Sequence, residues 1–285
     1  MALVVNTNVL SMKVNNNLNR ATNKAATAME RMSTGYKINS ASDDAAGFMI
    51  AKGLETQISG SAIAENNAQN ATSILQTAEG VLDTIQDNLL RMRDLTLQAM
   101  NGGYSETEID ALEAEAKARA EEIDWLAKGA KFNNFTIFDT DKTADESKLT
   151  LQVGTGAEAA TNTIDVKDVF YGATLSCLNT ALNSSSFAFS TTRSTMEDLL
   201  ENIDTAITNA SSRRATIGVS INRLDSAIDA MQVQAENLSS SRSRIVDADI
   251  AEESSEYTKQ YILQQASASL LTQANQTPSL ALSLI

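Results

Sequence analysis

The side chains of this chain that could do chemistry are almost all carboxylates. Asp43 and Asp44 are adjacent, Asp247 and Asp249 flank Ala248, and Glu113, Glu115, Glu121 and Glu122 crowd one segment. Oxygen-rich groups of this kind can ligate a divalent cation. The same residues more often cap helix starts or form solvated faces, and that is the expectation here. The chain contains no histidine, which removes the commonest general base and transition-metal ligand. A Ser-His-Asp or Cys-His site therefore cannot form within it. The single cysteine, Cys177, has no second thiol to pair with and reads as a small packed side chain. No G-x-x-x-x-G-K phosphate loop occurs. The expectation is a structural protein, not an enzyme, with no cofactor and no metal.

Charge narrows the partners. The 285 residues carry 22 Lys and Arg against 36 Asp and Glu, a net charge of −14. Phosphate backbones and anionic membrane surfaces attract basic patches, so neither nucleic acid nor a membrane is an expected partner. No run of about 18 apolar residues exists, so no transmembrane helix is expected. The first residues, MALVVNTNVLSMKVNNNLNR, lack a basic start and lose their apolar run at Asn6. They are not expected to act as a cleaved secretory signal.

The elements that position these residues are mostly helices. There is 1 proline, Pro278, where average usage would give about 14. Glycine is also scarce and does not occur after Gly218. Val14, Leu18, Ala21, Ala25, Ala28 and Met32 follow alternating spacings of four and three, a heptad seam that should end near Gly35. Ser42 is the expected N-cap of a second helix, with Asp43 and Asp44 in its first turn. That helix should run to Gly102-Gly103, with Ala78, Leu82, Ile85, Leu89 and Met92 on one face. Ser105-x-x-Glu108 predicts a capping box for a third helix ending near Lys128, and Ser194-x-x-Glu197 predicts another for a fourth. In that fourth helix Ile203, Ile207, Ala210, Ile217, Ile221, Leu224, Ile228, Met231, Ala235 and Leu238 keep the seam, which Arg214 interrupts. Ile262, Leu263, Ala266, Leu270 and Leu271 form the apolar set of the last arm.

Between the helices the period changes. Leu149, Leu151 and Val153 alternate with polar residues, as do Ile164 and Val166, which predicts a β-hairpin within residues 131–170. The expected fold is mainly α: a long antiparallel helical bundle with a small β-hairpin region, plus coiled-coil arms built from the two chain ends. Residues 1–42 and 246–285 are expected to form the arm domain, and residues 43–245 the bundle.

The arms read as surfaces for other copies of the chain. Half of the first seam is alanine. A buried Leu or Val contributes about 1.5–3 kcal/mol, while fixing one residue's backbone costs about 1–2 kcal/mol. A pair of such arms should be marginal alone and should order on assembly.

These residues also resemble a family. MSTGYKINSASDDAAGFMIA, Met32 to Ala51, is similar to the signature of bacterial flagellins. Asn6 to Leu10, LLRMRDLTLQAMNG (Leu89 to Gly102), KFNN (Lys131 to Asn134) and LQVG (Leu151 to Gly154) look like flagellin segments. So do SRSRIVDADIAEE (Ser241 to Glu253) and ILQQASASLLTQANQTP (Ile262 to Pro278). The resemblance implies a subunit of the tubular flagellar filament, with paired arms in an inner layer and a bundle layer; most of the family add outer variable domains in the middle, for which the segment from about Lys167 to Arg193 is too short. It implies export through the flagellar type III channel to the cell exterior without a cleaved signal. An export chaperone, filament cap and junction proteins are the implied partners, besides other copies. It further implies a host partner, the flagellin-sensing Toll-like receptor, with Arg91, Leu95 and Glu115 at the matching contact positions. Two features depart from the family: the ending SLALSLI, and Trp125, which is expected to pack under the hairpin. A hook-filament junction protein sharing the arms, or a cytoplasmic coiled-coil signalling hairpin, are the alternative readings. The aromatic-rich middle speaks against the second.

Overall fold

A computed structural model describes residues 7–133, 135–138, 150–154, 156, 162–165, 170, 172–184, 187–189 and 192–282. The elements are α1 (Val9–Thr34), α2 (Ala45–Ala99), α3 (Glu106–Gly129), β1 (Lys131–Phe132), β2 (Phe135–Thr136), β3 (Thr150–Gln152), β4 (Thr163–Asp165), α4 (Leu175–Leu178), α5 (Arg193–Val246) and α6 (Ile250–Leu282). The fold is mainly α with a small β region, as the periodicities predict. The chain divides into two compact units, Met1–Ile58 with Glu236–Ile285, and Ser59–Ala235.

The first unit is built on α1 and α6. Asn8 caps α1, its side-chain oxygen accepting from Ser11 N–H at 3.0 Å. Gly35 ends the helix in the left-handed region at φ +76, a backbone state that costs glycine little. Residues 35–37 then meet 246–248 in a short antiparallel bridge. Lys37 N–H donates to Val246 O at 2.6 Å, and Ala248 N–H donates to Gly35 O at 2.9 Å. Arg242 lies over the Tyr36 ring at 5.6 Å. The expected cap at Ser42 is displaced by two residues. Asp44 caps α2 instead, with Oδ1 accepting from Ala46 and Gly47 N–H at 3.1 and 3.0 Å. Asp43 closes the loop before it, accepting from the Ser40 and Asn39 N–H groups at 2.9 and 3.1 Å. These backbone donors hold the Asp43 carboxyl below the usual carboxylate range, Ser40 contributing most.

The second unit has the continuous apolar core. Leu75, Leu82, Ile85, Leu89, Met92 and Leu95 of α2 are fully buried with Ala116, Ala120, Ile123 and Ala127 of α3. Ile203, Ala210, Ile217, Leu224 and Met231 of α5 recur every seventh residue and join them. Arg214, the break in that seam, turns to α2 and pairs with Glu79 and Asp83, both at 2.7 Å. At the start of α3 the Glu108 carboxylate accepts from the Ser105 N–H at 2.7 Å and its hydroxyl at 2.8 Å. The second predicted box does not form. α5 already begins at Arg193, so Ser194 lies inside it, and Glu197 pairs with Arg193 at 3.0 Å.

The β region is two short antiparallel pairs. β3 faces β4 with Leu151 opposite Ile164, and β1 faces β2 with Phe132 opposite Phe135. Leu149, Val166 and the end of the SLALSLI tail lie outside the described residues. Side chains of the long helices pin the middle segment. Asp124 accepts from Leu175 N–H at 2.9 Å and the Ser184 hydroxyl at 2.5 Å. Asn209 donates to Leu178 O at 2.7 Å, and Arg213 donates to the carbonyl of Gly172. Trp125 does not pack under the hairpin. It is 72% exposed, because Ala120, Ile123 and Ala127 turn the opposite side of α3 inward.

Candidate assembly faces and recognition surface

Four contacts fix the arm pair as antiparallel. Asn8 Nδ2 donates to Ala274 O at 2.7 Å, and the Ser11 hydroxyl donates to Asn275 Oδ1 at 2.8 Å. Gln264 Nε2 donates to Thr22 Oγ1 at 3.2 Å, and Arg31 pairs with Glu253 at 3.0 Å. The α1 seam is used within the chain. Ala21, Ala25 and Ala28 are buried against α6, while Val14, Leu18 and Met32 are half-buried. Within the chain, α6 covers the alanines of that stripe, so the two chain ends lie side by side.

On α6 the face turned to α1 is not the apolar one. Beyond Glu253 and Glu256, its buried and half-buried residues among those described are Tyr257, Gln260, Gln264, Ser267, Leu271 and Ala274, at alternating spacings of three and four. Of the predicted apolar set only Leu271 lies on that face. Ile262, Leu263 and Leu270 are 59%, 45% and 58% exposed, and Ala266 is exposed with them. The small side chains of α1 explain the choice. A row of alanines lets the helices approach closely and accepts glutamines, whose amides find partners: Gln264 donates to Thr22, and the buried Gln260 donates to Glu256 at 2.6 Å. On α1 Met12 and Met29 are likewise exposed. The apolar residues are legible in the sequence and the offset between the two faces is not; the i, i+4, i+7 register of Gln260, Gln264 and Ser267 is its signal.

In the second unit the Arg91 guanidinium, on α2, pairs with the Glu115 carboxylate on α3 at 2.9 Å. Both side chains are more than a third exposed. The hydrogen bond from Arg91 holds the Glu115 carboxyl below the usual range, and the Glu115 carboxylate raises the Arg91 guanidinium. Leu95, expected to share their surface, is fully buried in the α2–α3–α5 core. It lies one turn from Arg91 but on the inward side of α2, so it cannot touch a partner in this conformation. Nearby, Arg93 pairs with Asp204 of α5 at 2.6 Å. Of the acidic groups singled out in the sequence, Asp44 and Asp249 cap helices, Glu113 accepts from Phe189 N–H at 2.9 Å, and Glu115 and Glu122 pair with Arg91 and Arg119. Among the described residues no group of three His, Cys, Asp or Glu stands where it could hold a metal ion, and no helix is long and apolar enough to cross a membrane.

Paired terminal helices with an outward apolar face, together with a long-helix bundle carrying a small β region, define a helical arm-and-bundle structural protein. Comparisons with known proteins give the family. Residues 5–143 match the bacterial flagellin N-terminal helical region, and residues 200–285 match the bacterial flagellin C-terminal helical region. A flagellin of Halalkalibacterium halodurans is 34% identical over 99% of this chain and 100% of its own length. A flagellin of Bacillus subtilis is 32% identical over 99% of both chains. The fold is also that of a Vibrio parahaemolyticus protein described as a flagellar hook-associated protein. That protein is 21% identical, with a TM-score of 0.57, covering 72% of this chain and 100% of that one. The chain belongs to the bacterial flagellin family. It is a structural subunit of the flagellar filament.

Proposed function

We propose that copies of this chain meet through the outward faces of the arms, with Ile262, Leu263, Ala266 and Leu270 of α6 and Met12 and Met29 of α1 as the contacts. The observation that carries this reading is the exposure of Ile262 and Leu270 on a helix whose other face is already occupied. Residues 1–42 with 246–285 form the inner layer of the filament in this reading, and residues 43–245 the bundle layer. The subunit leaves the cell without a cleaved signal, its α6 arm held by an export chaperone. It joins the growing filament at the tip, where a cap complex folds it, beyond the junction proteins and outside the cell. The weak apolar content of the α1–α6 interface supports arms that order fully only on assembly.

The test is polymerisation of the purified subunit, observed by electron microscopy. The Ile262→Ser, Leu270→Ser double variant should keep the helix content of the parent and form no long tubes. Normal tubes from that variant would overturn the reading.

A host-receptor role is proposed for the exposed Arg91–Glu115 pair. Its support is the match of both positions to the receptor-contact region of flagellins. Leu95 has a different part: it anchors the α2 segment that presents Arg91.

A further inference from the structure

The two arm helices carry opposite charge, unevenly placed. α1 holds Lys13, Arg20, Lys24 and Arg31 against Glu30 alone, whereas α6 holds Glu252, Glu253 and Glu256 against Lys259 alone. From Gln260 to the end of the chain no Asp, Glu, Lys or Arg occurs. The α1 bases are spaced by 7, 4 and 7 residues, which gathers them on one flank of the helix.

Half of this charge is matched within the chain. Arg31 pairs with Glu253 at 3.0 Å. Glu256 pairs with Lys259 at 3.0 Å, and Lys24 is close enough to act on it. Lys13 and Arg20 lie farther along α1, where Thr22 is level with Gln264 and Ser11 with Asn275. They therefore stand beside the uncharged stretch of α6. Both are exposed, and among the described residues neither takes part in an ion pair. At the other end of the arm pair Glu252 is exposed and also makes no ion pair among the described residues.

We infer that Lys13 and Arg20 of one copy pair with Glu252 of a second copy, and that this pairing sets the axial stagger between neighbouring arms. The inference rests on the reading that the arms pack on other copies. Packing withdraws water from the arm surface, and a base with no acid on its own chain then needs one from a neighbour. Complementary charge fixes register, which the apolar face of α6 does weakly because its residues repeat along the helix. Lys13 and Arg20 stand seven residues apart, about 10 Å along α1, so one displacement of roughly 22 Å from the level of Arg31 sets the neighbour's Glu252 between them, within reach of both long side chains.

The test is the critical concentration for polymerisation of the full chain, measured by sedimentation in low-salt buffer, where surface pairs are least screened. Three chains are compared with the parent: Lys13→Glu with Arg20→Glu, Glu252→Lys, and all three substitutions together. Each charge-reversed chain should raise the critical concentration on the order of fivefold or more. The combined chain should return close to the parent value, which also shows that its reversed arms fold. Parent-like assembly of the reversed chains, or a combined chain no better than either, overturns the inference. The Ile262→Ser, Leu270→Ser chain separates the two readings. If it fails to assemble while the charge variants behave as the parent, the arm reading stands and the pairing falls. If it assembles normally, the arm reading falls and the pairing with it.

Discussion

Arg91 and Glu115 sit on different helices and share a hydrogen-bonded ion pair at 2.9 Å, four residues from a leucine that is fully buried. The pair and Leu95 are neighbours in sequence and opposites in environment. Arg91→Ala should weaken capture of the chain by the receptor ectodomain in a pull-down, with little change in thermal unfolding. Leu95→Ala should instead cost about 2–5 kcal/mol of bundle stability by opening a cavity. If Leu95→Ala reduced receptor capture at full stability, Leu95 would belong to the contact surface after all.

Acid should loosen the molecule in a defined window. Glu115, Glu108 and Glu256 all have folded-state pKa values below the ordinary glutamate range, through bonds from Arg91, Ser105 and Gln260 respectively. A depressed carboxylate stabilises the fold above its unfolded pKa and loses that contribution as pH falls through the folded one. The unfolding temperature should therefore be flat near neutrality and decline below about pH 4. Glu115→Gln should make that decline shallower. A decline that begins well above the carboxylate range would assign acid sensitivity to other groups.

Gly47 is a packing requirement. A Cβ there would stand 2.4 Å from Asp44 Oδ2 and 2.8 Å from Ile38 Cδ1. The carboxylate it would strike is the one that caps α2. Gly47→Ala should cost about 1 kcal/mol, the usual worth of an N-cap, although alanine is the better helix former. Calorimetry of Gly47→Ala beside Gly53→Ala gives the contrast, since nothing lies within 4 Å of the Gly53 position. Equal stability of the two variants would contradict the geometry.

Trp125 offers a spectroscopic check. Its 72% exposure predicts emission typical of an indole in water from the isolated subunit. Trp125→Ala should change stability by no more than about 0.5 kcal/mol, whereas Ile123→Ala, two residues away, should cost about 2–5 kcal/mol. Blue-shifted emission from the subunit would show that the ring is covered.

Helices and their order were legible in the sequence because both depend on neighbours within a few residues. Scarce proline and glycine, the Ser105–Glu108 box and the seven-residue repeat through Ile203, Ile217 and Leu224 all act locally. The alternation around Leu151 and Ile164 marked the hairpin for the same reason. Near-ties between candidate caps were not legible. Ser42 and Asp44 are equally good by type, and the bridge from residues 35–37 to 246–248 shapes the loop whose end leaves Asp44 as the cap.

Tertiary structure alone decided which faces turn inward. The sequence places Ile262, Leu263 and Leu270 on a strongly apolar arm, yet α6 turns Gln260, Gln264 and Ser267 to α1, because a row of alanines favours small and hydrogen-bonding neighbours at close range. The resemblance likewise gives Arg91 and Leu95 equal standing as contact residues, and the sequence leads one to expect Trp125 under the hairpin. Packing separates them: Leu95 falls on the side of α2 that meets α3 and α5, while Trp125 falls on the exposed side of α3. A periodic pattern gives a helix its faces, but the partner that covers each face is set by residues far away in the chain.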